Sequence, residues 1–138
     1  MIINGSNLNL TGRREQGIYG RISFPDYLRK LRERYPEHQL DHFQSNIEGE
    51  LVDAIQKAGF VYDGIILNAG GYTHTSVSIA DAVRAVEAPV VEVHISNVFS
   101  REDFRHVSYI AAHAKGLITG FGMESYRLAL ESFLLARL

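Results

Sequence analysis

Short apolar runs bounded by turn residues alternate along this chain with stretches whose apolar residues recur at helical spacing. Residues 1–3 read as a brief strand cut by Asn4-Gly5. Residues 7–22 carry Gly12, Gly17 and Gly20 among Arg13, Arg14 and Glu15 and read as a loop, long enough to be functional or mobile. Ser23 with Asp26 resembles a capping box, and Phe24, Tyr27, Leu28, Leu31 and Tyr35 form the apolar stripe of a helix that Pro36 ends. Residues 40–44 alternate as a strand near a sheet edge does. Ser45 and Glu48 suggest a second capping box before a helix that buries Leu51, Val52, Ile55 and Ala58 and is capped at Gly59. Residues 64–68 form a buried strand, 76–86 a helix, 90–95 a strand and 108–113 a short helix. Residues 116–119 form a fifth strand, and 124–138 a last helix with Tyr126, Leu130, Phe133 and Leu134 on its apolar face.

This strict alternation of strand and helix predicts an α/β fold with a parallel sheet covered on both faces. Right-handed crossovers and five strands lead to a flavodoxin-like three-layer sandwich with strand order 2-1-3-4-5. No repeat or linker divides the chain, so residues 1–138 are expected to form a single domain.

At 138 residues the chain is long enough for a core without staples, and with no cysteine it has neither disulfides nor a thiolate nucleophile. Its 14 basic and 16 acidic residues give a formal charge of −2, which offers no electrostatic case for nucleic acid or an anionic membrane. No apolar run approaches the roughly 18 residues of a membrane span. The opening residues do not resemble a secretory leader. A cytoplasmic location is the expectation.

Ligands of such sheets bind beyond the carboxyl ends of the strands, where the strand order reverses. Three polar segments meet on that rim. They are Asn4-Gly5-Ser6-Asn7 after the first strand, Asn68-Ala69-Gly70-Gly71 with His74 after the third, and Glu92, His94, Ile95 and Ser96 at the end of the fourth. The loop bearing Arg14 and Tyr19 leaves the same rim. Amides, histidines, arginines and a tyrosine suit a polyhydroxylated anionic small molecule. Backbone N–H groups at Ile95 and Ser96 suit its carboxylate, and Arg101 and Arg105 suit anion pairing or lid closure, with Arg105 favoured. His38, His42, His106 and His113 have no convincing metal-ligand spacing. Gly120 and Gly122 fall short of a dinucleotide fingerprint, and the amide-rich turn after the first strand is a poor phosphate cradle. A receiver-type signalling domain would need acidic residues where Asn4, Asn7 and Asn68 stand. A dead enzyme used as a scaffold is a further alternative.

The segments from Asn4 to Leu10, Gly12 to Glu15 and Tyr19-Gly20, then from Asn68 to Ser76, then from Glu92 to Asn97 with Arg101-Glu102 and Phe104-Arg105, together resemble the signatures of the type II 3-dehydroquinate dehydratases, in order and along essentially the whole chain. The chain departs from that pattern at Ser6 and Gln16, where the family usually has proline, and at Ser125, where glycine more often precedes the tyrosine. The resemblance implies a cofactor-free, metal-free hydro-lyase that takes 3-dehydroquinate to 3-dehydroshikimate through an enolate, for aromatic biosynthesis or quinate breakdown. By the same resemblance Tyr19 is the base. A phenol ordinarily titrates near 10, and a cation at about 4 Å in an effective dielectric near 20 lowers that by roughly three units, the task of Arg14. Asn7 stabilises the enolate oxygen, His94 is the general acid and Glu92 orients it. Asn68, Gly70, Gly71, His74, Ile95, Ser96 and Arg105 are implied to bind substrate. Asp81 is implied to reach a neighbouring subunit's site, within a dodecamer built from trimers.

Overall fold

The computed structural model describes residues 1–13 and 15–135, with the backbone alone at Tyr19. Five strands, β1 (Ile2–Asn4), β2 (His42–Gln44), β3 (Ile65–Asn68), β4 (Val90–His94) and β5 (Gly116–Thr119), form one parallel sheet in the order 2-1-3-4-5. The registers align Ile2 with His42 and Ile66, Asn4 with Asn68, Leu67 with Glu92, and His94 with Thr119. The predicted flavodoxin-like order therefore stands.

Alternation along the strands builds two cores. Ile2, Ile66, Val91 and Val93 face one side and pack with Phe24, Tyr27, Leu28 and Leu31 of α2 (Phe24–Arg34) and Tyr126, Ala129 and Leu130 of α5 (Glu124–Leu134). Ile3, Ile65, Leu67 and Val90 face the other and pack with Leu51 and Ile55 of α3 (Glu48–Ala58) and Ile79 and Val83 of α4 (Val77–Ala85). Side-chain caps start two of these helices. Ser23 Oγ accepts from Asp26 N at 3.2 Å, and Ser76 Oγ accepts from Ile79 N at 2.9 Å.

Several boundaries differ from the sequence expectation. The first strand is shifted by one residue, to Ile2–Asn4, because Asn4 pairs in register with both neighbours. The stretch 7–22 is not all loop. It holds a 3₁₀ turn, Leu8–Leu10, and the single turn of α1, Gln16–Tyr19. Ser45 does not cap α3. Ile47 is its N-cap, and Ser45 Oγ instead accepts from Ile47 N and donates to Glu50. Gly59 stands at the end of α3 in an ordinary right-handed conformation, and what requires glycine is contact: a Cβ there would lie 2.2 Å from the Val86 side chain. The expected helix over 108–113 shortens to a 3₁₀ turn, Ala111–His113, that leaves Ser108 outside it, and two further 3₁₀ turns, Val98–Ser100 and Asp103–Arg105, precede it. Leu134, placed on the apolar face of the last helix, is 39% exposed, and the helix is described to Leu134 with Leu135 as its cap. The expected continuation over 136–138 lies outside the described residues.

Candidate active site

The parallel sheet places the carboxyl ends of β1, β3 and β4 side by side, and a cavity of about 120 Å³ opens there. Asn7, Asn68, Gly70, Gly71, His74, His94, Ile95, Ser96 and Arg105 all line it. So do Ser6, Leu8, Thr11, Val98 and Arg101. The three rim segments thus converge on one small volume.

His94 closes β4 and is 6% exposed; Glu92, two residues back on the same face, is wholly buried. His94 Nε2 lies 2.7 Å from Glu92 Oε1. A carboxylate accepts, so Nε2 carries the hydrogen and Nδ1 is left for the proton that would make the ring an acid. The same carboxylate receives the Ser108 hydroxyl, 2.8 Å from Oε1 and 2.9 Å from Oε2. His74 stacks on His94 with ring centroids 6.2 Å apart and planes 19° from parallel. Its Nδ1–H donates to the Val107 carbonyl at 2.7 Å, which fixes Nε2 as the other ring nitrogen available in the neutral form. Burial holds the His74 imidazole below its ordinary value, with His94 and Arg105 adding to the shift, while the Val107 carbonyl and Glu92 oppose it.

The amides at the end of the first and third strands are held from beneath. Asn4 and Asn68, register partners on neighbouring strands, turn to the hydroxyl of the fully buried Tyr126, which donates to Asn4 Oδ1 at 2.8 Å and accepts from Asn68 Nδ2 at 2.9 Å. Asn68 Oδ1 accepts the Gly70 N–H at 3.2 Å, tying the amide to the turn that follows. Burial drives the Tyr126 phenol well above its usual value, so it stays a neutral hydroxyl. Asn7 sits in the left-handed region at φ 68°, its N–H donating to Asn46 Oδ1 at 2.9 Å. Gly70 is needed at its turn twice over: its φ is +63°, and a Cβ would lie 2.7 Å from the Ser6 carbonyl.

At the β4 turn, Ile95 O accepts the Gly122 N–H at 2.9 Å and Ser96 O accepts the Thr119 hydroxyl at 2.8 Å. Because C=O and the following N–H point opposite ways across a trans peptide, the Ser96 N–H is turned away from the β5 side. Arg101 Nη1 reaches Ser96 Oγ at 3.3 Å, and Arg105 is ion-paired with Glu102. With side-chain exposures of 13% and 24%, both arginines belong to the wall, and the preference for Arg105 over Arg101 has no counterpart in their positions.

Not every candidate is brought here. Asp81, on α4, is exposed, pairs with Arg84 at 3.8 Å and does not line its own chain's cavity. Arg14 and the side chain of Tyr19 lie outside the described residues; the Tyr19 backbone closes α1. Where proline was expected, Gln16 ties back to the Gly12 carbonyl at 3.1 Å. Ser125 is buried and accepts the Phe121 N–H at 3.2 Å. Sequence reasoning missed Ser108 and the hydroxyl role of Tyr126. The first was absorbed into an expected helix and the second into an apolar stripe, although a tyrosine at a buried stripe position always raises the question of a partner for its hydroxyl. Among the described residues, no group of three or more His, Asp or Glu is arranged to hold a metal ion.

A doubly wound sheet with a carboxylate-held imidazole in its switch-point cavity defines an α/β protein with a small-molecule site equipped for acid–base chemistry. The match is then narrower: a model of the class II dehydroquinases covers residues 1–134, and the chain belongs to that family. A 3-dehydroquinate dehydratase from an Exiguobacterium species is 54% identical over 135 residues, 97% of this chain and 92% of its own length. One from a Synechococcus species is 54% identical over 136 residues, 97% and 93% of the two chains. The crystal structure of the type II dehydroquinase from Butyrivibrio crossotus superposes with a TM-score of 0.93 at 40% identity, covering 97% of this chain and 95% of that one.

Proposed function

We propose that this chain is a type II 3-dehydroquinate dehydratase, a hydro-lyase that removes water from 3-dehydroquinate by anti elimination to give 3-dehydroshikimate. The observation that carries this reading is the buried His94–Glu92 pair at the wall of a switch-point cavity, 2.7 Å apart, in a member of the class II family. Tyr19, made acidic by Arg14, takes the proton beside the ketone. The electrons of that C–H bond move to the carbonyl oxygen, and the resulting enolate is held by Asn7, by way of water. Collapse of the enolate forms the carbon–carbon double bond and breaks the C–O bond of the leaving hydroxyl, which departs as water with the proton from His94. Glu92 orients the imidazole and balances its charge. The Ile95 and Ser96 N–H groups take the substrate carboxylate, Asn68, His74 and Arg105 take its hydroxyls, and Gly70 and Gly71 let the backbone approach closely.

The route needs no cofactor, no metal and no nucleic-acid or membrane partner. The 138 residues act as one catalytic domain. Asp81, exposed on α4, is assigned to the site of a neighbouring copy, in a dodecamer built from trimers. No helix among the described residues is long and apolar enough to cross a membrane. The shikimate route in the cytoplasm, or quinate breakdown there, is the assigned setting.

Purified protein is expected to convert 3-dehydroquinate to a product with the new absorbance of a conjugated enone, at a rate indifferent to EDTA and borohydride. Tyr19→Phe is expected to abolish turnover while substrate still binds. A folded, oligomeric sample with no turnover overturns the assignment, and near-parental rates for Tyr19→Phe remove that residue from its role.

A further inference from the structure

Glu92 is wholly buried, and a buried carboxylate oriented by one imidazole alone still has acceptor capacity to satisfy. Ser108 fills it. Its hydroxyl approaches both carboxylate oxygens, at 2.8 and 2.9 Å, from a segment that follows the 3₁₀ turn Asp103–Arg105. A serine hydroxyl has one hydrogen to give and two lone pairs to receive. Both receiving directions are taken: the Ile110 N–H donates to Ser108 Oγ at 3.1 Å and the Ala111 N–H at 3.0 Å. The hydrogen is left for Glu92, and its direction is set by the backbone. The Glu92 carboxylate thus accepts from both Ser108 and His94.

The segment is itself anchored. Ile110 is fully buried in the core between α3, α4 and the sheet, and the Tyr109 N–H donates to the Thr73 carbonyl at 3.0 Å. The Val107 carbonyl, one residue before Ser108, receives His74 Nδ1–H. Three successive residues thus hold Glu92, the main chain beside His74, and His74 itself.

We propose that Ser108 is a positioning residue for the acid–base pair: its hydroxyl, oriented by the N–H groups of Ile110 and Ala111, locks the Glu92 carboxylate as an acceptor and so holds His94 as the Nε2–H tautomer with Nδ1 free to carry the catalytic proton. This rests on the proposed dehydratase reading. Among the described residues, the charged and titratable groups that face the pair are His74, stacked on His94, and Arg101 and Arg105 on the cavity wall, with Glu102 paired to Arg105.

Ser108→Ala is expected to lower kcat about ten- to a hundred-fold, the usual scale for a lost hydrogen bond to a charged group, with KM little changed. Ser108→Thr, which keeps the hydroxyl, is expected to restore most of the rate. In a Glu92→Gln background, Ser108→Ala is expected to cost little more, since the two act through one contact. Losses that multiply in the double variant, or a parental kcat in Ser108→Ala, overturn the proposal. Should the alanine variant fail to fold, Ser108→Cys, a far poorer donor, carries the same readings: a lowered kcat supports the role and a parental one overturns it. A parent protein without turnover of 3-dehydroquinate overturns the functional reading and this inference together, whereas an active parent with an indifferent Ser108→Ala overturns this inference alone.

Discussion

Asn4 and Asn68 sit opposite each other at the ends of β1 and β3, 1% and 3% exposed, and both rely on the hydroxyl of Tyr126. Removing that hydroxyl would leave the Asn4 oxygen and the Asn68 amide nitrogen buried without this partner, and unsatisfied buried polar groups cost more than the net worth of the bond. Tyr126→Phe is therefore expected to lower stability by about 2–3 kcal/mol in urea unfolding. It is also expected to raise KM for 3-dehydroquinate more than it lowers kcat, because Asn68 lines the cavity and loses one of the two contacts that hold its amide. An unchanged urea midpoint would remove Tyr126 from this role. At this scale the sequence revealed which residue types gather at the rim, since Asn4, Asn68, Glu92 and His94 are polar where strands should be apolar. It did not reveal which polar atoms meet. The partner hydroxyls of Tyr126 and Ser108 come from 58 and 16 residues away and depend on side-chain directions that no local pattern records.

The elements matter through their ends. Gly5, directly after β1, passes so close to the turn after β3 that a Cβ would lie 2.2 Å from the Ala69 carbonyl oxygen and 2.5 Å from its carbon. Backbone cannot yield as a flexible side chain does, so Gly5→Ala is expected to push these two turns apart. The cost is about 2–3 kcal/mol of stability, the upper range for overpacking, with a steep loss of turnover because Asn7 and Gly70 lie on the displaced turns. Thermal unfolding and the enone assay on the same sample check both halves; parental behaviour in both would show that the turns can part without harm. Strong periodicity made α2, α4 and the buried strands readable. The segments 7–22 and 98–113 were not, because their single turns of helix and 3₁₀ turns are shorter than the window over which apolar spacing carries a signal.

For the whole molecule, acid is the condition that tests the half-buried imidazoles. His42, on β2, packs its ring 4.5 Å from that of Phe24 and meets Asn4 Nδ2 at 3.2 Å, and burial together with the Arg32 charge pulls it down to about 4 from the ordinary 6.5. A histidine depressed in the folded state binds its proton more readily when unfolded. Its contribution is therefore intact above about pH 6.5, is lost progressively as the pH falls toward 4, and changes no further below that. His74, depressed in the same direction, adds to the trend. Urea midpoints followed across this window are expected to fall with acid, and to fall less steeply in His42→Gln, whose side-chain oxygen can still accept from Asn4; equal slopes would show that His42 is not responsible. The sequence by itself determined the alternation of strand and helix, narrowed the sheet order to a few right-handed topologies of which 2-1-3-4-5 is the natural one for five strands, and put the polar segments at the strand ends, because these follow from local periodicity and chirality. Only the tertiary structure decided that Ser108 closes on Glu92, that Tyr126 bridges two strands and that Asp81 stays outside its own chain's cavity. Each of these depends on which faces of separate elements are packed together, and that is set by the cooperative burial of two cores rather than by any stretch of residues alone.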